Sequence, residues 1–452
     1  MKLILISTIN APQKVPPLSL AIIASLTPRD WDIEVIDENF DVFKFKEADL
    51  VGITAFTNNA PRAYEIAAEY RKHNIKVVMG GIHASMVPEE AAKYVDTVVI
   101  GEAEGIWGTV IQDFMNGELK PVYKAEWLDC DHWPIPRREI FHARYYQDVI
   151  QTTRGCPMSC DFCSVSSFNG RHYRQRPVEE IITELKTIKK KYIFFLDDNI
   201  LGHGKKCEER ALQLFRRMDE EKLDKIWYSY ASINFADHPE IMAAASKCGC
   251  KMIFIGFESE GDAQLSEMNK NQNIKSGSSS YHQVVKKINH HGIAVMGGFI
   301  MGFDADTRKS ILKRRKFLMK SRINIIALSF ITPFPGTVYY KRMQDENRIT
   351  KNNYPEDWKL YTFLNIVYQP KNISSDELTQ LYIKTLTKLL SRRYIFLRVL
   401  IAFLQSRSKT TARWVYNVNR TQYRGIQRYY KMVKDQKVKA KEIKETQENM
   451  IF

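Results

Sequence analysis

Three cysteines crowd one short stretch of this 452-residue chain, Arg154-Gly155-Cys156-Pro157-Met158-Ser159-Cys160-Asp161-Phe162-Cys163, a C-x3-C-x2-C loop directly after an expected strand. Thiolates at this spacing can converge on one small centre, and soft sulfur ligands suit zinc or an iron–sulfur cluster. Structural zinc wants four ligands; His172 lies nine residues on and could supply a fourth, but without a paired spacing. Three ligands instead leave one iron of a [4Fe–4S] cluster open to an exogenous group. Buried structural cysteines would follow a strand or helix period rather than crowd a Gly/Pro-bearing loop. That plainer reading suits Cys130, Cys207, Cys248 and Cys250.

Further polar groups fall at the carboxyl ends of expected strands, where parallel sheets present ligand-contacting side chains. Asp197-Asp198-Asn199 ends one strand, Ser232 and Asn234 end the next, and Glu258 ends the one after. Asp-Asp-Asn also suits a turn with a helix cap before Gly202. Glu258 also suits a salt bridge to a barrel Lys or Arg. Arg154 either balances the charge of a cluster or forms a surface ion pair. Tyr173, Arg174 and Arg176 follow the loop closely and read equally well as a solvated basic turn.

The elements that must position these groups come in two alternating series. Strands are expected at Leu3–Ser7, Ile33–Asp37, Leu50–Thr54, Lys76–Gly80 and Thr97–Gly101, with helices at Pro17–Leu26, Ala60–Lys72, Pro88–Lys93 and Gly105–Met115. Short strands separated by helices imply βαβ crossovers and a parallel sheet covered on both faces. No G-x-G-x-x-G follows the first strand, and Pro12, Pro16 and Pro17 stand there instead, which argues against a dinucleotide. After an aperiodic linker over 126–145, strands are expected at Val149–Thr153, Tyr192–Leu196, Trp227–Ser232, Met252–Phe257, Ala294–Phe299 and Ile325–Phe330. Their intervening helices are Pro177–Lys190, Lys205–Glu220, Pro239–Lys247, His282–His290 and Thr307–Met319. Six βα-like units suit a partial parallel barrel. The expected organisation is an α/β chain with a Rossmann-like domain over 1–125, a linker over 126–145, a partial (β/α)6 barrel over 146–345 and a helical basic region over 346–452.

With a hydrophobic fraction of 44% and a charged fraction of 26%, the composition is that of a globular protein and excludes a disordered or fibrous one. The N-terminus has one basic residue and no long apolar core, so no signal peptide is expected. Seven cysteines without an export signal point to a reducing, cytoplasmic setting. The formal charge of +15 is uneven. Residues 371–452 hold 18 Lys/Arg against 6 Asp/Glu, and the first 370 residues hold 49 against 46.

The loop, with aromatic Phe162 just before its last cysteine, resembles the radical S-adenosylmethionine (SAM) superfamily. Further segments resemble its branch with an N-terminal cobalamin-binding domain: Phe168–Pro177, Phe195–Asn199, Ile255–Ser259, Gly298–Asp304, Thr332–Thr337, Pro16-Pro17-Leu18, Gly80-Gly81-Ile82-His83 and Gly101-Glu102-Ala103-Glu104. The likeness covers roughly residues 1–370. It implies that Cys156, Cys160 and Cys163 hold three irons of a [4Fe–4S] cluster while SAM chelates the fourth. Phe162 would pack near the adenine, and Asp198, Ser232, Asn234 and Glu258 would contact SAM. A corrin offers an apolar face edged by amides, so Thr54, Thr57, Asn58, Gly80, Gly81, His83, Ser85, Gly101, Glu102 and Glu104 are its expected partners. The D-x-H-x-x-G pattern of an axial cobalt histidine is absent, so His83 is read as a ring or phosphate contact, or as a satisfied loop histidine.

The function implied is a cobalamin-dependent radical SAM C-methyltransferase. One SAM methylates cob(I)alamin, a second yields a 5′-deoxyadenosyl radical that removes a substrate hydrogen, and the substrate radical takes the methyl group. An external electron donor of the flavodoxin or ferredoxin type is implied as well. Ring-closing or rearranging relatives keep a second outcome open. A tRNA methylthiotransferase would need three further cysteines in the first domain, and residues 1–125 contain none. The stretch Leu389–Leu404 sets Arg392, Arg393 and Arg398 among large apolar side chains, with Tyr394, Phe396, Leu397, Leu400, Ile401 and Leu404 expected largely on one helix side. Such a cationic amphipathic segment suits the inner face of an anionic membrane and a small-molecule, apolar or lipid-linked substrate. The alternative is a helix docked on the barrel. Nucleic acid is not an expected partner, because no recognisable module accompanies the basic tail.

Overall fold

The run Lys2–Ser7 alternates its side chains between two apolar layers, and this decides the architecture of the first domain. Leu3 and Leu5 point into one layer with Leu50, Val78 and Val99, and Ile4 and Ile6 into the other with Val51, Ile53, Val77 and Met79. A strand buried on both faces must be covered by helices on both faces. In the computed structural model, which describes residues 1–8, 15–131 and 133–427, β1 (Lys2–Ser7), β2 (Asp32–Asp37), β3 (Leu50–Thr54), β4 (Lys76–Gly80), β5 (Thr97–Ile100) and β6 (Val122–Lys124) form one sheet. It is parallel throughout, in the order β2-β1-β3-β4-β5-β6. Helix α1 (Leu18–Leu26) follows β1, α2 (Ala60–Lys72) follows β3, and the short helices α3 (Ile82–Met86) and α4 (Pro88–Ala91) follow β4; α5 (Trp107–Met115) follows β5.

The second series opens with β7 (Asp148–Ile150), where the expected single strand Val149–Thr153 is split. A separate two-residue strand, β8 (Thr153–Arg154), pairs antiparallel with β9 (Arg174–Gln175), and α6 (Ser164–Phe168) lies between them. Next come α7 (Val178–Thr187), β10 (Tyr192–Phe195), α8 (Lys205–Glu220), β11 (Ile226–Ala231), α9 (Pro239–Lys247) and β12 (Cys250–Glu258). Helices α10 (Asp262–Glu267), α11 (Asn271–Ser276) and α12 (Tyr281–His290) lead to β13 (Ala294–Met301), α13 (Arg308–Lys320), β14 (Ile325–Phe330) and α14 (Val338–Asp345). Strands β7 and β10 to β14 run parallel in the order β14-β13-β12-β11-β10-β7, an open barrel.

Outward-facing Ile193, Phe195, Trp227, Ile253, Ile255, Val295 and Phe299 meet the helices in one large core. This core also takes in Leu378, Tyr382, Leu386 and Leu389 of α15 (Ser375–Leu389), so that helix belongs to the barrel. At the amino ends of the barrel strands, Met252, Ala294 and Ile325 are capped by Ala402 of α16 (Arg392–Ser406) and by Trp414 and Val415 from helical residues 409–427. No helix among the described residues is long and apolar enough to cross a membrane.

Helix α16 is docked inside out relative to the expected lipid-reaching arginines. Arg398 is buried beside Ile395 and Ala402, and it donates to the Leu389 carbonyl at the end of α15, 2.9 Å away. Burial pushes its guanidinium down to about 10. Phe396, Leu397, Leu400, Phe403 and Leu404 face solvent instead, while Arg392 and Arg393 are exposed at the helix start.

Candidate active site

The cysteine loop is a closed excursion from the barrel. The β8–β9 ladder pairs Thr153 with Gln175 and Arg154 with Arg174, pinching off residues 155–173 at their base. Gly155 has φ +85°, and a Cβ there would lie 2.3 Å from the His172 carbonyl oxygen, so only glycine fits. The Cys156 amide donates to the Gly170 carbonyl at 3.3 Å and the Cys163 amide to the Cys160 carbonyl at 3.1 Å. Asp161 ties the tip to the barrel, its carbonyl accepting from the Tyr339 amide at 2.9 Å and its carboxylate from Asn269 at 2.7 Å. All three thiols are free, with Cys160 buried and the other two half-buried; burial pushes each up, Cys163 to about 12. Phe162 packs on the apolar cluster of Met268, Ile300, Phe303 and Tyr339.

The barrel's strand ends divide the expected SAM residues into occupied and free groups. Asp197 is fully buried and accepts from the Thr152 amide (2.6 Å), the Thr152 hydroxyl (2.7 Å) and the Thr153 amide (2.8 Å), so it organises backbone. Asp198 accepts from Asn169 at 3.0 Å, and burial pushes its carboxyl up to about 6. The Ser232 hydroxyl accepts from Asn199 Nδ2 at 3.0 Å. Asn199 Oδ1 and Asn234 Oδ1 are buried acceptors with no partner among the described residues. Glu258 differs from the expected open ligand: it pairs with Lys270 at 3.2 Å, the salt-bridge alternative. It does so from a left-handed backbone (φ +61°) where the β12–β13 register slips. Lys270 carried no sequence signal, yet its ammonium stands within Coulombic reach of Cys160 and Cys163; burial opposes its charge, and Glu258 with Cys160 outweighs burial and raises its pKa.

In the first domain Gly81 (φ +93°) and Gly101 (φ +88°) turn the chain at the ends of β4 and β5. A Cβ on Gly81 would meet the Thr54 hydroxyl at 2.8 Å, and one on Gly101 would meet the Ala125 carbonyl at 3.1 Å. The Ser85 hydroxyl stitches the two turns, donating to the Gly81 carbonyl (2.9 Å) and accepting from the Gly101 amide (3.0 Å). Thr54, Asn58 and Gly80 are half-buried at the same edge, Thr57 is buried, and Phe56 beside them is 52% exposed.

Three of the expected corrin contacts need correction. His83 is 0% exposed, its Nε2 3.0 Å from the Tyr64 hydroxyl and 3.4 Å from Glu90, which also accepts from Trp358 at 2.9 Å. The His83 Nε2 is held within the fold, and its Nδ1 has no partner among the described residues. Glu102 and Glu104 are also spoken for. Arg174 donates to Glu102 at 2.9 Å, Arg154 stands 3.1 Å from Glu102, and Arg154 also donates to Glu104. A buried carboxylate needs a partner, and the barrel supplies two guanidiniums. Arg154 is thus neither a surface ion pair nor free for a cluster; its guanidinium also stacks 4.0 Å above the Trp133 ring. Arg174 is no solvated turn residue, being buried with further bonds to the carbonyls of Leu128 (2.6 Å) and Asn169 (3.0 Å).

These contacts bring together the carboxyl-end loops of the two sheets. Helix α3, after β4, lies against α6, which begins one residue after Cys163. Met86 of α3 fills the space that a Cβ on Gly336, beyond β14, would take. Three free thiols in one loop suit an iron–sulfur cluster, unpartnered Asn199 and Asn234 oxygens suit the donors of a bound cofactor, and the exposed Phe56 ring beside half-buried Thr54, Asn58 and Gly80 suits the apolar face and amide edge of a corrin.

A model of the radical SAM superfamily matches residues 150–318, and a model of the B12 binding domain matches residues 4–110. Bacteriochlorophyllide d C-12(1)-methyltransferase of Chlorobaculum tepidum is 33% identical over 384 residues, covering 81% of this chain and 81% of the relative. The C-8(2)-methyltransferase of the same organism is 32% identical over 372 residues, covering 77% and 80%. Among solved structures, the cobalamin-dependent S-adenosylmethionine radical enzyme OxsB shares the fold with a TM-score of 0.69 at 16% identity, over 93% of this chain and 75% of that one.

Proposed function

The chain belongs to the radical SAM superfamily, in the branch with an N-terminal B12-binding domain, and on that premise we propose that it is a C-methyltransferase acting on an unactivated carbon of an apolar small molecule. It is an enzyme that uses a [4Fe–4S] cluster, SAM and cobalamin. Bound together, the cluster and SAM supply a 5′-deoxyadenosyl radical, and cobalamin supplies a methyl group. Cys156, Cys160 and Cys163 hold the cluster. Asn234, Asn199 and Asp198 are the polar groups offered to SAM, and Phe162 backs them with an apolar wall. The turns at Gly80-Gly81 and Gly101, with Thr54, Asn58 and Phe56, line the corrin side.

One observation carries this reading: the carboxyl-end loops of the two sheets meet at Glu102, Arg154 and Arg174. A methyl donor on the first sheet then faces a radical source on the second. The two Chlorobaculum tepidum relatives are named for bacteriochlorophyllide d, so a tetrapyrrole is the first substrate class to test. An external one-electron donor of the flavodoxin or ferredoxin type is part of the proposal.

The outward apolar face of α16, flanked by Arg392, Arg393 and Arg407, is proposed to rest on an anionic membrane, holding the enzyme at the cytoplasmic surface where apolar substrates dissolve. The test of the activity is anaerobic reconstitution with iron, sulfide and cobalamin, followed by dithionite, SAM and bacteriochlorophyllide d or an apolar lipid extract. Formation of 5′-deoxyadenosine with S-adenosylhomocysteine and a product heavier by one CH2 is expected. If no 5′-deoxyadenosine forms, the radical reading is wrong; if it forms without any methylated product, the methyltransferase reading is wrong.

A further inference from the structure

The junction between the two sheets is ionic, buried and asymmetric. Glu102 stands one residue beyond the Gly101 turn, where the Ser85 hydroxyl already holds the Gly101 amide to the β4 turn. Across the junction its carboxylate binds both arginines that face each other in the β8–β9 ladder. Those two residues are the ends of the cysteine loop: Arg154 precedes Gly155-Cys156, and Arg174 closes the return. Arg174 also donates to the carbonyl of Asn169, whose side chain donates to Asp198. The carbonyl of the next residue, Gly170, accepts from the Cys156 amide. A single carboxylate therefore holds both ends of the loop and, through one arginine, Asn169, whose side chain bonds Asp198 and whose neighbour Gly170 accepts from the Cys156 amide.

We propose that Glu102 is a positioning residue that couples the two cofactor sides, so that a corrin seated on the β4 and β5 turns slows the loss of iron from the cysteine loop. This rests on the cofactor assignments proposed above. The physical basis is that the loop's base has only a two-residue ladder of its own, too little to stay closed without support. A charged, bidentate pair in a water-poor junction is directional and strong. A ligand that stiffens the Gly81 and Gly101 turns restricts the residue bonded to them, and the Glu102 carboxylate carries that restriction to both arginines. Coupling of binding free energies is reciprocal, so a loaded cluster must also tighten cobalamin binding, by the factor by which cobalamin tightens the cluster's own equilibrium binding.

The experiment uses the full chain, reconstituted with iron and sulfide, with and without cobalamin. Iron loss to a strong chelator is followed at the cluster's visible absorbance, and cobalamin affinity is measured with and without the cluster. Wild type is expected to lose iron more slowly with cobalamin, roughly fivefold or more. Glu102→Gln keeps the shape and loses the charge, and Arg174→Lys keeps the charge and loses the fork. Each is expected to take up both cofactors while its chelation rate no longer depends on cobalamin. Glu104→Gln, at a carboxylate paired with Arg154, retains part of the effect. A purely structural tie would speed iron loss equally with and without cobalamin. Equal cobalamin protection in wild type and in whichever of the two variants folds overturns the proposal, as does its absence in wild type. Failure of wild type to load cluster or cobalamin overturns the cofactor assignment instead.

Discussion

Replacing Phe396 and Leu404 together with serine should detach the enzyme from anionic membranes and leave its fold intact. The two side chains are 65% and 64% exposed on α16, so they contribute little to packing within the protein. Full burial of a Phe or Leu side chain is worth about 1.5–3 kcal/mol. About two-thirds of that surface is available to a lipid phase here, giving about 1–2 kcal/mol for each and about 2–4 kcal/mol for the pair. At a factor of ten per 1.4 kcal/mol, the partition coefficient should fall by about 30- to 700-fold. Vesicles of anionic and of neutral lipid, floated through a density gradient with the wild-type and the doubly substituted chain, read this directly. A thermal melt checks that the substitutions act on lipid binding alone. Truncation near Ile373 is the wrong perturbation, since it removes α15, whose Leu378, Tyr382 and Leu386 complete the barrel core. If the wild-type chain does not float with anionic vesicles at low salt, or the double variant floats equally well, the outward face of α16 does not bind lipid.

Four further outcomes are expected. Cys156→Ala, Cys160→Ala and Cys163→Ala should each fail to assemble the cluster while Cys207→Ala keeps its iron; iron and sulfide titration checks this, and full loading of Cys160→Ala refutes it. Cob(II)alamin bound to the enzyme should show no histidine nitrogen superhyperfine splitting in its EPR spectrum, because the His83 ring is fully buried with its Nε2 held by Tyr64 and Glu90; a splitting that disappears in His83→Ala would overturn that. Arg314→Met should destabilise the barrel by about 3–5 kcal/mol in urea unfolding, since it strands the buried Asp306 and Glu260 carboxylates; a loss below 1 kcal/mol refutes it. Burial works against the charge of Glu102, but Arg174 and Arg154 outweigh it and hold its carboxyl below the usual value. Its contribution is then complete above the ordinary glutamate range and is lost only as pH falls through the lowered value. The loss of stability that Glu102→Gln causes in urea unfolding should therefore be the same from pH 8 to pH 5, and a loss that shrinks inside that window argues against the pair.

The elements with a clean period were legible in the sequence. Leu50–Thr54, Lys76–Gly80 and Ile325–Phe330 stand where their apolar runs put them, as do the helices Ala60–Lys72, Lys205–Glu220 and Pro239–Lys247. The cysteine loop was legible because its spacing is chemical rather than conformational. What could not be read is what distant partners decide. The ladder of Thr153–Arg154 with Arg174–Gln175 has too few residues to show a pattern. Glu102 meets an arginine 72 residues away and Glu104 one 50 residues away, and no local rule distinguishes these carboxylates from the neutral edge of a corrin site. Helix α16 carries apolar side chains all around, so docking, not periodicity, chose which stripe to bury. Seating Arg398 on the end of α15 settled that choice.

The contact between Glu90 and Trp358 spans 268 positions of the chain, and that separation sets an order of events during synthesis. At about 5–20 residues per second on the ribosome, Glu90 emerges about 13–54 seconds before the tryptophan that covers it. For that interval the first sheet can be complete while Tyr64, His83 and Glu90 lie open, because the 3-10 turn over Glu356–Leu360 that packs on α2 has yet to be made. The amino-terminal domain thus waits for a lid encoded beyond the barrel. A chain that stops at the end of the barrel leaves the ribosome with that polar cluster uncovered.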